Sequence, residues 1–256
     1  MYPHHEEGIW KYTEKIKKEK EVQAIIIGGS IAHGFETEKS DIDVMVLVSD
    51  EEYKRRLDSS TIQFLDKDVG HIDGKYISSE FLNNAIKIGN EATRYAFKGA
   101  FITYSRIEGL EEIISEIQKY PIKEKQEKIN RFYAQFKAWN YYCKYAYKNN
   151  DMYLLNYAVT NLVYFGGRLI LAHNETLFPY HKWFMRALEN VSEKPVGLTD
   201  TIKMLLEKRQ KEDMEAFYNM INDYRQWDDS GTSWPNVFFH DSEYNWISGN
   251  PPVADL

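Results

Sequence analysis

A chain of 256 residues, 43% hydrophobic and 28% charged, has the composition of an ordinary globular protein and room for one large domain or two modest ones. Its formal charge of −7 and pI near 5.6 argue against a surface built to grip long nucleic acid. The single cysteine, Cys143, excludes an internal disulfide and fits a reducing compartment. No run approaches the ~18 apolar residues of a spanning helix, no membrane association is expected, and residues 1–7 lack the pattern of a secretory leader, so the cytoplasm is the expected location.

Residues 5–20 predict a helix, because Ile9, Tyr12 and Ile16 keep helical spacing among Glu and Lys. A strand follows at 22–27, then a turn at Gly28-Gly29-Ser30, with a short helix over 30–35 whose start faces the turn. After a polar connector of ten residues, 31–40, Asp41-Ile42-Asp43 opens a second strand over 42–48. Both runs have the length and β-branched content of buried strands. Side chains alternate along a strand, so Asp41 and Asp43 share a face. Two carboxylates opposite a glycine turn make a place for a metal-bound triphosphate.

Ser49 or Asp50 caps the next helix, which has acids in its first turn. Residues 69–77 predict a third strand. Its alternation would place Val69, His71, Asp73, Lys75 and Ile77 on one face, an unusual composition for a face packed for stability alone. Asp66 and Asp68 are expected in a turn before it. A helix over 79–90 capped by Ser78 or Ser79, a short strand over 100–104 and a helix over 108–120 stopped by Pro121 complete this half.

Beyond Pro121 the strand signal almost vanishes, which sets the expected division: a catalytic domain over 1–120 and a helical domain over 121–256. Helices are predicted over 123–148, 152–173, 180–191 and 199–227, the last with a break near Arg209. The aromatic tail, with Trp234, Phe238, Phe239, Tyr244 and Trp246, is expected to pack on the body as far as Trp246, ahead of Pro251 and Pro252. The fold class is therefore α+β, a mixed sheet flanked by helices followed by an all-helical bundle.

Gly-Gly-Ser, ten residues, then Asp-x-Asp opening the next strand resembles the signature of the nucleotidyltransferase superfamily related to DNA polymerase beta. Asp73, in Gly70-His71-Ile72-Asp73, matches the family's third carboxylate by placement. The helical second half resembles the small bacterial enzymes that adenylylate aminoglycosides and lincosamides. Pro179-Tyr180-His181-Lys182-Trp183 fits a segment found in the helical domain of related proteins. The resemblance implies a transferase that moves a nucleoside monophosphate, AMP from ATP in the first instance, to a hydroxyl of a small-molecule acceptor such as an antibiotic, with release of pyrophosphate.

Nucleotidyl transfer needs charge neutralised and an in-line geometry held more than it needs covalent help. Asp41, Asp43 and Asp73 are the expected catalytic and metal-binding residues, holding two Mg²⁺ ions, with Asp73 helping to deprotonate the acceptor hydroxyl. Gly28 and Gly29 let the backbone approach the phosphates, and their N–H groups and the Ser30 hydroxyl are expected to donate to them. Lys182 is the candidate basic group for the triphosphate from the helical half. Tyr180 and Trp183 are expected mainly as core, Arg168 as structural, and His33 as a possible phosphate contact. Glu91, Glu189, Asp228, Asp229, Asp241 and Glu243 are candidate contributors to an acidic acceptor cleft. Two alternatives stand beside this reading: nucleotidylation of a protein or tRNA, and nucleotide binding without turnover.

Overall fold

Helix α1 (Pro3–Ile16) opens on a proline, whose missing N–H is no loss in a first turn, and buries Ile9, Tyr12 and Ile16. In the computed structural model, which describes residues 1–227 and 231–249, it leads into strand β1 (Val22–Ile27). There follow helix α2 (Gly29–Ala32), β2 (Ile42–Val48), α3 (Asp50–Asp58), β3 (Gln63–Asp66), β4 (Ile72–Ile77), α4 (Ser79–Ile88), α5 (Glu91–Ala96), β5 (Phe101–Ser105) and α6 (Leu110–Ile117). Ser49 and Ser78 cap α3 and α4, their hydroxyls accepting from the N–H of Glu52 and Phe81. Each cap is worth about 1 kcal/mol.

The five strands form one sheet in the order β3-β4-β2-β1-β5. The β2–β4 pair is parallel and the other three pairs are antiparallel. Both faces are covered. Ile25, Ile27, Val44 and Val46 pack with α1, while Ala24, Ile26, Met45 and Leu47 pack with Leu82, Leu110 and Ile114 from α4 and α6. Burial on both faces explains why β1 and β2 read as continuous apolar runs.

Three local expectations are corrected. The third strand begins at Ile72 rather than 69, because Gly70 and His71 have φ of 125° and 55° and break the extended chain. His71 therefore does not share the strand face of Asp73. A four-residue edge strand, β3, precedes it, and Asp66 ends that strand with its carboxylate on Lys15 Nζ at 2.6 Å. Helix α5, capped by Asn90 through the Thr93 N–H, was hidden behind the end of α4.

The chain divides into two units, Met1–Lys119 and Tyr120–Leu256. In the second unit, a 3₁₀ turn (Ile122–Glu124) precedes α7 (Lys125–Asn149) and α8 (Met152–His173). A second 3₁₀ turn (His181–Trp183) then precedes α9 (Phe184–Asn190), α10 (Leu198–Lys208), α11 (Lys211–Asn222), α12 (Trp234–Ser242) and α13 (Asn245–Ser248). Two adjacent glycines on α8 admit neighbours. A Cβ on Gly166 would lie 2.8 Å from Phe217 Cζ, and one on Gly167 would lie 2.3 Å from Phe184 Cζ. Arg209, at φ 51°, closes α10 and separates it from α11. The tail packs through α12, where Phe238 buries against Ala134 and Ala138 and Arg131 donates to Asp241 at 2.8 Å. Trp246, expected to pack, is 64% exposed. Asp228, Asp229, Pro251 and Pro252 lie outside the described residues. No helix among the described residues is long and apolar enough to cross a membrane.

Candidate active site

Strand β1 ends at Ile27, paired with Val44, and the chain then turns directly over β2. The Gly28 N–H donates to the Asp43 carbonyl at 2.9 Å, so that group is committed to the backbone and is not offered to a phosphate. Gly29 has φ +61°, and a Cβ there would stand 1.7 Å from Asp43 Oδ2. At Gly28 the nearest atom to such a Cβ is Met45 Cε at 3.3 Å. Of the two glycines, Gly29 is thus the one whose missing side chain makes room for a carboxylate. The N–H groups of Gly29, Ser30 and Ile31 open α2 and have no acceptor within it, as at any helix start. Ser30 itself is 7% exposed.

Register brings the second carboxylate alongside. In the parallel β2–β4 pair, Asp43 is the partner of Asp73, and Met45 of Lys75. Paired residues on neighbouring strands are about 5 Å apart and present their side chains to the same face. Asp43 and Asp73 are half-buried, while Asp41 precedes the first residue of β2 and is exposed. The structure therefore gathers Gly28, Gly29, Ser30, Asp43 and Asp73 at the joined ends of β1, β2 and β4, with Asp41 at the entry to β2.

Two further side chains belong to this face. Gln63, on the unforeseen strand β3, donates from Nε2 to Asp73 Oδ1 at 3.0 Å. Its only trace in the sequence is a polar residue two before Leu65 in a run too short to separate from a loop. Lys75 reaches water, yet the protein around its ammonium lowers its pKa, and Asp43 and Asp73 pull it back up.

The connector carrying Asp41 is held by the N-terminus. His4 Nε2 donates to the Glu38 carbonyl at 3.0 Å, His5 Nε2 to the Ser40 carbonyl at 3.1 Å, and the Met1 amino group pairs with Glu36 at 3.3 Å. The sequence gives these histidines no ligand spacing, and the structure uses them as clamps. His33, at the end of α2, stacks on Tyr95 at 4.6 Å. Burial, helped by the charge of Lys98, lowers its pKa to about 4.

Among the described residues, no group of three or more His, Cys, Asp or Glu side chains is arranged to hold a metal ion. Magnesium does not require one: it is commonly held by one or two carboxylates together with substrate phosphates and water. The Asp43–Asp73 pair, with the space over Gly29, fits that kind of site.

Lys182 belongs to the second unit, on the His181–Trp183 turn, exposed and 5.4 Å from the centroid of the Trp183 ring. Arg168 lies between the rings of Phe132 and Phe178, at 4.3 and 4.5 Å, and donates to Tyr164 Oη at 2.8 Å.

Residues 11–90 match the family model described as Polymerase beta, Nucleotidyltransferase. Among solved structures, the chain is similar to a nucleotidyltransferase-like protein from Exiguobacterium sibiricum 255-15. The identity is 11%, the match covers 95% of this chain and 79% of that one, and the TM-score is 0.48. No curated protein matches the chain.

Proposed function

With a nucleotidyltransferase domain of the polymerase beta type over residues 11–90 as the premise, we propose that the protein transfers a nucleoside monophosphate, AMP from ATP first, to a hydroxyl of a small-molecule acceptor. The oxygen of that hydroxyl attacks the α-phosphorus, the bond from that phosphorus to the bridging oxygen breaks, and pyrophosphate leaves. Asp73 takes the hydroxyl proton. The Gly29 and Ser30 N–H groups and the Ser30 hydroxyl donate to phosphate oxygens. Magnesium, when bound with the nucleotide, supplies positive charge against the triphosphate; Asp41, Asp43 and Asp73 are its oxygen donors in this reading.

One observation supports this most: the Asp43–Asp73 register beside a turn in which only glycine leaves room for the Asp43 carboxylate. A purely structural turn has no need to set a left-handed glycine against a strand carboxylate. The acceptor class follows from the resemblance to antibiotic-modifying enzymes, so aminoglycosides and lincosamides head the acceptor panel.

The test is pyrophosphate release from each of four nucleoside triphosphates with Mg²⁺, against that panel and then tRNA and protein extract. Release that requires a small-molecule acceptor and disappears in Asp43→Asn is the expected result. Release that survives Asp43→Asn would remove the site assignment, and no release with any acceptor would favour binding without turnover.

A further inference from the structure

Tyr180 has φ 65° and ψ 172°, a backbone region that belongs essentially to glycine. Asn150 and Arg209 also have positive φ, but they close helices with ψ of 34° and 36°, the ordinary left-handed cap. Tyr180 closes no helix; it precedes the His181–Trp183 turn. Its conformation is imposed from both sides. Leu177 and Phe178 are 4% and 5% exposed before it, Phe184 is 7% exposed after it, and Pro179 is buried too. Between these anchors the Tyr180 ring is pushed into water, 62% exposed. It was expected mainly as core, and its exposure corrects that. A residue that strains the backbone and buries little does not serve the stability of the fold.

Its surroundings have one chemical character. The His181 ring lies 4.9 Å from the Tyr180 ring and 5.3 Å from that of Tyr164. Lys182 is exposed beside Trp183. The segment 177–183 contains no acid. Open aromatic faces stack flat ring systems, and an ammonium group beside them suits phosphate.

We propose that segment 180–183 is a nucleotide-contact site on the second unit, with Tyr180 stacking on the base and Lys182 meeting phosphate. The identity of the ligand rests on the nucleotidyl-transfer reading. The strained backbone holds the ring outward, ready to stack.

The same strain supplies the test. Glycine is at ease at this φ and ψ, so Tyr180→Gly removes the ring and relieves the backbone together. Full-length wild-type, Tyr180→Gly, Tyr180→Phe and Asp43→Asn proteins are titrated with ATP and with pyrophosphate in Mg²⁺, and their melting temperatures are recorded. Tyr180→Gly is expected to melt at the wild-type temperature or higher and to bind ATP on the order of tenfold more weakly, with pyrophosphate affinity unchanged. Tyr180→Phe, which keeps the ring, is expected to bind ATP as wild type does. ATP affinity unchanged in Tyr180→Gly but reduced in Asp43→Asn would overturn this site and leave the proposed function standing. A lower melting temperature for Tyr180→Gly would assign the ring a structural role and overturn it as well. No ATP binding by the wild type would remove the functional reading and this site with it.

Discussion

A Cβ on Gly29 would stand 1.7 Å from Oδ2 of Asp43 and 2.6 Å from its Cβ, so the turn after β1 and the carboxylate of β2 occupy complementary space. Gly29→Ala forces the Asp43 side chain away and also places an alanine at φ +61°, which costs about 1 kcal/mol by itself. Displacing a reacting group by an ångström can cost roughly 100-fold in rate. Gly29→Ala is therefore expected to lose about that much pyrophosphate release while still folding, read by turnover alongside thermal unfolding. Turnover at the wild-type level would separate the turn from the chemistry.

Asp43→Asn keeps the shape and removes the charge. Removing one electrostatic contact to a transition state costs on the order of 10²–10³-fold, and a loss at least that large in turnover is expected. A melting temperature close to wild type would assign the loss to the missing charge rather than to misfolding.

Gln63 sits on an exposed edge strand, and its amide fixes one oxygen of Asp73. Truncation there should change stability by no more than about 0.5 kcal/mol. Gln63→Ala is expected to leave the melting temperature alone and lower turnover, with the Mg²⁺ concentration for half-maximal rate raised. A purely structural role would leave that midpoint unmoved. Gln63→Glu, which puts a second negative charge beside Asp73, should shift the Mg²⁺ dependence differently from alanine.

Gly74 tests the packing behind the same strand. A Cβ there would lie 2.0 Å from Phe64 Cζ, pressing β4 against β3. Overpacking of this kind costs about 1–3 kcal/mol, so Gly74→Ala should lower the urea midpoint by a corresponding amount with an unchanged slope.

His33 gives a pH dependence of defined sign. Its folded-state pKa is lowered to about 4 from the ordinary 6.5, by burial first and Lys98 second. Between those values the unfolded chain binds a proton that the folded chain refuses, so stability rises with pH. The contribution is fully present above about pH 6.5 and declines as pH falls toward 4. Urea midpoints at pH 7 and pH 5 should differ more for the wild type than for His33→Gln. An NMR titration of the ring placing its pKa near 6.5 would refute the assignment.

The sheet strands β1 and β2, the serine caps and the change to an all-helical second half were readable from residue order, because each is set by local pattern. Strand β3 was not: four residues of mixed polarity on an edge carry too little periodicity. The start of β4 was misplaced because alternation continued through Gly70 and His71, whose positive φ values no hydrophobic pattern reveals. Gln63 was missed with its strand. Tyr180 was read as core because an aromatic between Pro179 and Trp183 looks apolar, whereas the anchors on either side turn it outward.

Gly28-Gly29-Ser30 and Asp41-Ile42-Asp43 were legible from spacing alone, since a turn of two glycines and an Asp-x-Asp each carry their chemistry in residue type. What only the tertiary structure decided is which glycine matters and which carboxylates meet. The parallel pairing of β2 with β4 sets Asp43 beside Asp73 across 30 residues of sequence, and that register depends on hydrogen bonds between strands that no local pattern records. The Gly28 N–H, expected to serve phosphate, is taken by the Asp43 carbonyl for the same reason: its partner is near in space and distant along the chain.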